Sequence, residues 1–253
     1  MRFVLVNEST STAANQGGAL TPATLQDIAV AVSWQLNGDV AAEWGGGGTY
    51  SLRVGRPNGS DVQPTEVAIW IKDALPDAPG AAGYHDRLDN GASVVYIGRD
   101  GSDSLTQGAN ALSVTISHEC CEAAGDPPAN FWADRGDGNE EALELCDRVE
   151  DTTYPALNGV TVSNFLLRAA FDPGASAPFD KLGVLKDRAG LTPGGYVILR
   201  TASSDEHQQT PSSKTTGAGN AQHRVSIQGN IRKAKISKKK NPTSRTYRRG
   251  VRL

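Results

Sequence analysis

Apolar residues fall in short clusters along the first half of the chain, and their spacing switches between the strand period and the helix period. Residues 2–6 form a brief apolar run that predicts a first strand. Leu25, Ile28, Ala29, Val32 and Leu36 then recur at helical spacing, behind Thr21 as N-cap and Pro22 in the first turn, with Gly38 as the stop. Tyr50, Leu52 and Val54 alternate, and so do Val67, Ile69 and Ile71, with Trp70 on the opposite face. Residues 93–97 (SVVYI) form a fourth strand. A helix is predicted over about 105–124, capped by Ser104 or Thr106 and ended by Gly125-Asp126-Pro127-Pro128. Residues 131–151 read as a loop followed by one or two helical turns, and 193–200 (PGGYVILR) as a turn into a last strand. The glycines at 45–48 read as a linker, since no Lys-Ser/Thr follows to make a phosphate loop. The pattern gives an α+β fold: a small mixed, twisted sheet with an N-terminal helix and a later helix carrying polar groups.

Charge divides the chain in two. Residues 203–253 hold twelve Lys and Arg against two Asp and Glu, a balance of +10, whereas residues 1–202 hold thirteen against twenty-six, a balance of −13. The predicted organisation is therefore an acidic body, 1–202, and a basic, low-complexity, extended C-terminal arm, 203–253. Arg232, Lys233, Lys235, Lys238, Lys239, Lys240, Arg245, Arg248, Arg249 and Arg252 are its candidate docking residues, for nucleic acid or for acidic neighbouring subunits. With 38% hydrophobic residues the body can bury a core, and three cysteines do not make a disulfide framework. No apolar run approaches the roughly 20 residues of a membrane span. The opening MRFVLVNEST lacks a signal-peptide pattern, so the expectation is the cytoplasm of the producing cell.

The chemistry concentrates in SHECCEAAGDPP, residues 117–128. On a helix, His118 and Glu122 share one face, and Glu119 follows His118 directly. In the HExxH arrangement of zinc peptidases, two helical His bind the metal and the Glu is the general base. Here a Glu stands in place of the second His. A carboxylate still ligates Zn2+, but its charge weakens the ion as a Lewis acid and admits the harder Mn2+ or Ca2+. A third ligand must come from elsewhere. Asp147 is favoured because ELCDRVED (144–151) follows the motif at a suitable distance, with Glu144, Cys146, Asp126 and Asp134 as alternatives. Asp126 reads better as a helix-terminating residue. Adjacent helical cysteines point about 100° apart, so Cys120 and Cys121 read as small buried residues, and so does Cys146. His85, beside Tyr84, is a candidate substrate contact or ligand but, as a lone loop His, reads better as structural or solvated, and the four tryptophans read as core.

The order strand, helix, three strands, then an HExx helix resembles the N-terminal half of the zincin metallopeptidases. More narrowly, SHECCEAAGDP, the Trp132/Asp134 loop, ELCDRVED, VSNFLLRAAF (162–171) and PGGYVILR are similar to a metallopeptidase-like HExxE family of phage-borne and bacterial proteins. The resemblance covers about residues 1–200 and brings no substrate with it. It implies His118 and Glu122 as ligands and Glu119 as the base, with the sheet's edge strand lying along the substrate; the 93–97 strand is expected in that place. The only Met is Met1, so the Met-turn of a metzincin is absent. The expected function is a structural or assembly component of a phage particle, built on a zincin-like domain with a degenerate metal site. Its partners would be other virion subunits. The alternatives are an active metal-dependent peptidase with a peptide substrate, and a nucleic-acid-binding protein acting through the tail.

Overall fold

The computed structural model describes residues 1–45, 49–78, 81–201 and 207–211. The arm positions 212–253, with all ten candidate docking residues, and three of the four linker glycines lie outside the described residues.

The first sheet has the order β2-β1-β3-β5-β4, built from β1 (Arg2–Asn7), β2 (Ser51–Val54), β3 (Glu66–Lys72), β4 (Gly83–Arg87) and β5 (Ser93–Gly98). β2, β1, β3 and β5 run parallel to their neighbours, and β4 alone is antiparallel, at the edge. Register sets the two faces. Phe3 and Leu5 lie opposite Val67 and Ile69, and Ile69 and Ile71 lie opposite Val95 and Ile97. All of these belong to one core cluster with Leu25, Ile28 and Val32 of α1 (Pro22–Gln35) and with Ile116 and Cys120 of a later helix. One sheet face is thus covered by helices, as the alternating pattern requires.

Thr21 caps α1, accepting from the Thr24 N–H, with Pro22 at the first helical position. The chain does not stop at Gly38. It continues through a π-helical turn (Leu36–Val40) into α2 (Ala41–Trp44). Leu36 and Val40 are buried there, and the Asn37 amide bridges Ser33 O and Tyr50 O, so packing and a side-chain partner hold the turn across the glycine.

The second long helix, α3 (Leu112–Gly125), starts seven residues later than expected. Residues 104–106 bond elsewhere: Ser104 O and Leu105 O accept from Leu112 and Ser113, and Thr106 O accepts from Thr161. Gly108, at φ +90°, breaks any helix through this stretch. Ser113 Oγ donates to Thr161 O, and Ser117 Oγ accepts from Ser163 N, which fixes α3 against the strand at 161–163.

Residues 131–151 hold a hairpin in place of the expected loop, followed by one helical turn as expected. They form β6 (Trp132–Asp134), β7 (Asn139–Ala142) and a 3-10 turn at Asp147–Val149. Gly136 and Gly138 take positive φ in the hairpin, where Asp134 and Asp137 accept from Gly136 N and Asn139 N. β8 (Thr153–Pro155) and β9 (Thr161–Ser163) form a two-stranded ribbon. β10 (Tyr196–Thr201) and β11 (His207–Pro211) complete an antiparallel sheet of order β11-β10-β7-β6. Among the described residues, no helix is long and apolar enough to cross a membrane. Trp34 is 40% exposed on the outer side of α1, so it is not a core residue.

Candidate metal centre

Three segments converge below the edge of the first sheet. β4 contributes His85, α3 contributes His118, Glu119 and Glu122, and the stretch after β7 contributes Glu144 and Asp147. His118 and Glu122 share a helical face, as their spacing requires, at 3.3 Å from Nε2 to Oε1. Asp147 Oδ1 lies 3.3 Å from the same His118 nitrogen. On the other side, His85 Nδ1 lies 3.2 Å from Glu122 Oε2, 3.6 Å from Glu119 Oε2 and 4.0 Å from Glu144 Oε2. All four carboxylate residues are buried, and the His85 side chain is only 4% exposed.

The donors form two groups that could hold a metal ion, His118–Glu122–Asp147 and His85–Glu122–Glu144, each with its ligand atoms within 4.8 Å of one another. Ligands at 2.0–2.1 Å from a tetrahedral ion stand about 3.3 Å apart, which is the separation of His118 from both Glu122 and Asp147. Four carboxylates and two imidazoles sum to −2 even with both imidazoles protonated. Buried charge of one sign is costly without a counter-charge, so the composition favours a cation.

Electrostatics within the cluster point the same way. Burial opposes a charge on His85, but the facing carboxylates of Glu119 and Glu122 outweigh it and carry its pKa up to about 9. Burial also opposes protonation of His118, and Glu122 overrides it, holding His118 well above the usual imidazole value. Burial would raise Glu122, yet the imidazole of His118 keeps it well below the carboxylate range. In the absence of metal, protons on the histidines offset part of the carboxylate charge.

The cluster opens onto a cavity of about 300 Å³ lined by Gly83, Asp103, Thr115, His118, Glu119 and Tyr196. Gly83 is what lets β4 approach α3: a Cβ there would stand 2.9 Å from Thr115 Cγ2 and 3.0 Å from Glu119 Cγ.

Of the third-ligand candidates, Asp147 stands with His118 and Glu122, whereas Glu144 stands with His85 instead. Asp126 caps the end of α3, accepting from Asn130 N and Phe131 N at 3.0 and 2.9 Å, and belongs to neither group. Cys146 is buried with its Sγ 3.7 Å from the His118 carbonyl, and Cys120 and Cys121 are buried and free. Asp134 serves the hairpin turn.

Two expectations are corrected. His85 is not a solvated loop residue but a strand residue aimed at the carboxylates. The 93–97 strand is not the edge, because β4 pairs outside it and takes that place. The signal for His85 was the alternation in residues 83–87, which puts Tyr84 and His85 on opposite faces once the segment is known to be a strand. Comparison with protein-family models, with curated proteins and with solved structures gives no match.

Proposed function

We propose that the chain is a zincin-like metal-dependent hydrolase acting on peptide bonds. The observation that carries this reading is the meeting of His118, Glu119, Glu122 and Asp147 at a cleft beside the edge strand β4. His118, Glu122 and Asp147 would hold the cation, with Zn2+ suiting the donors and Mn2+ or Ca2+ the carboxylate excess. When bound, the cation supplies Lewis acidity toward the scissile carbonyl. Glu119 lines the cleft and takes the proton of the attacking water, then delivers it to the leaving amine. β4 is the outermost strand of the first sheet among the described residues, and an extended peptide would lie along it. Among the described residues the cleft lining includes Asp100, Asp103, Glu150 and Asp151 and no Lys or Arg, which favours a cationic substrate.

The test is metal content of the full chain by plasma mass spectrometry, with turnover on a fluorogenic peptide library. The wild-type protein should hold metal, and His118→Ala should lose it from the first group. Glu119→Gln should keep the metal and lose about 10²-fold or more in rate. A metal-free, folded wild-type protein after loading with Zn2+ and with Mn2+ would overturn the reading.

The charge split between body and tail favours a second reading, an assembly component of a phage particle whose basic arm docks on acidic neighbours or on nucleic acid. Truncation after residue 211, which keeps β11 and removes all ten docking candidates, should then abolish a salt-sensitive association seen by sedimentation, and metal removal should leave it intact. An association that survives truncation would overturn it.

A further inference from the structure

The hydrolase reading uses one group of donors and leaves the other without a role. We propose that Glu122 bridges two cations, the second held by His85 and Glu144. This rests on the reading of the first group as a metal site and adds a second ion to it.

The two oxygens of Glu122 point different ways. Oε1 faces His118 Nε2 at 3.3 Å, and Oε2 faces His85 Nδ1 at 3.2 Å. A carboxylate that gives one oxygen to each of two triads has the disposition of a bridge, and bridged ions stand about 3.5–4 Å apart. Each side then has its own imidazole and its own further carboxylate, Asp147 for one and Glu144 for the other. Glu119 supplies an independent observation. Its side chain is 6% exposed, its Oε2 accepts no hydrogen bond among the described residues, and that atom faces His85 Nδ1 at 3.6 Å. An unsatisfied buried carboxylate oxygen aimed at the second group is a polar atom waiting for a partner. His85 and Glu144 stand 4.0 Å apart and would draw together on a shared ion, and the carboxylate-rich donor set suits Mn2+ before Zn2+.

The competing role for His85 is to orient Glu122 from behind as a hydrogen-bond donor. Stoichiometry separates the two. The full chain is dialysed against MnCl2 and, separately, ZnCl2, and bound metal per folded chain is measured by plasma mass spectrometry. The Mn2+ form is also examined by electron paramagnetic resonance. Two Mn2+ per chain with an exchange-coupled spectrum are expected, falling to one and an isolated six-line signal in Glu144→Gln and in His85→Gln. One ion per wild-type chain would overturn the second site while leaving the first in place. No ion would overturn both. Two ions that persist in both variants would also overturn the assignment, since the second ion would then sit elsewhere.

Discussion

Gly83 lies so close to Glu119 that a Cβ on it would come within 3.0 Å of both Cγ and Oε1 of that carboxylate. The contact sets how near β4 stands to α3, and with it how near His85 stands to Glu122. Gly83→Ala should push strand and helix apart and lower the unfolding free energy by about 1–3 kcal/mol, the range for overpacking a fitted interior. Urea unfolding reads the stability, and a Mn2+ titration should show weaker binding in the same variant. Unchanged values in both would show that the approach is not a constraint.

Arg148, next to Asp147, is buried with its Nη1 3.3 Å from Glu141 Oε1 and its Nε donating to Gly190 O at 3.2 Å. Its guanidinium also meets Arg188 O, so it ties the turn at 147–149 to the 188–190 loop. Arg148→Ala should cost about 3 kcal/mol, the low end for breaking a buried pair, because Arg135 still reaches Glu141 at 2.9 Å. Thermal unfolding should show the loss, and Arg148→Lys should recover only part of it.

Asp73 accepts from Ser9 Oγ at 2.5 Å, Thr10 N at 3.0 Å and Ser11 N at 2.9 Å, pinning the chain after β1 to the end of β3. The hydrogen bond from Ser9 leads the causes that outweigh desolvation and hold this carboxyl below its ordinary value of 3.8. As pH falls, the unfolded chain takes up this proton before the folded one. The contribution is therefore complete above about pH 3.8 and is lost as pH drops through the lower folded value. Asp73→Asn should flatten the acid limb of a stability-versus-pH curve and leave the slope above pH 5 unchanged.

The acidic cleft predicts substrate charge. Peptides carrying Lys or Arg near the scissile bond should be cleaved faster than acidic ones of equal length. The preference should shrink as ionic strength rises from about 0.01 to 0.15 M, where the screening length falls from roughly 30 to 8 Å. Equal rates at low salt would show that the lining plays no part in selection.

What could be read from the sequence was local. Thr21-Pro22 and the spacing Leu25–Ile28–Val32 carry their own structure, and α1 begins where they place it. His118 and Glu122 share a face because a helix period puts them there. The late start of α3 was hidden, since Ser104, Leu105 and Thr106 give their carbonyls to residues outside any local helix. β7 was hidden as well: its Glu141 pairs with Leu199, a partner that no window around residue 141 contains. From the sequence, a ligand role for His85 ranks behind a structural or solvated one for the same kind of reason. Its role depends on β4 folding back antiparallel on β5, and only then does it face Glu122.

The candidate centre draws on residues 85, 118–122 and 144–147, which belong to three separately closed stretches of chain. The three cysteines are all free, so no covalent link ties these stretches together. A cation seated among them would bind the folded state and not the unfolded chain, so it would stabilise the fold by mass action, whereas a disulfide constrains the unfolded ensemble. Unlike a disulfide it would respond to supply rather than to redox state. The same six side chains would then make the durability of the body a reporter of how much free metal surrounds it.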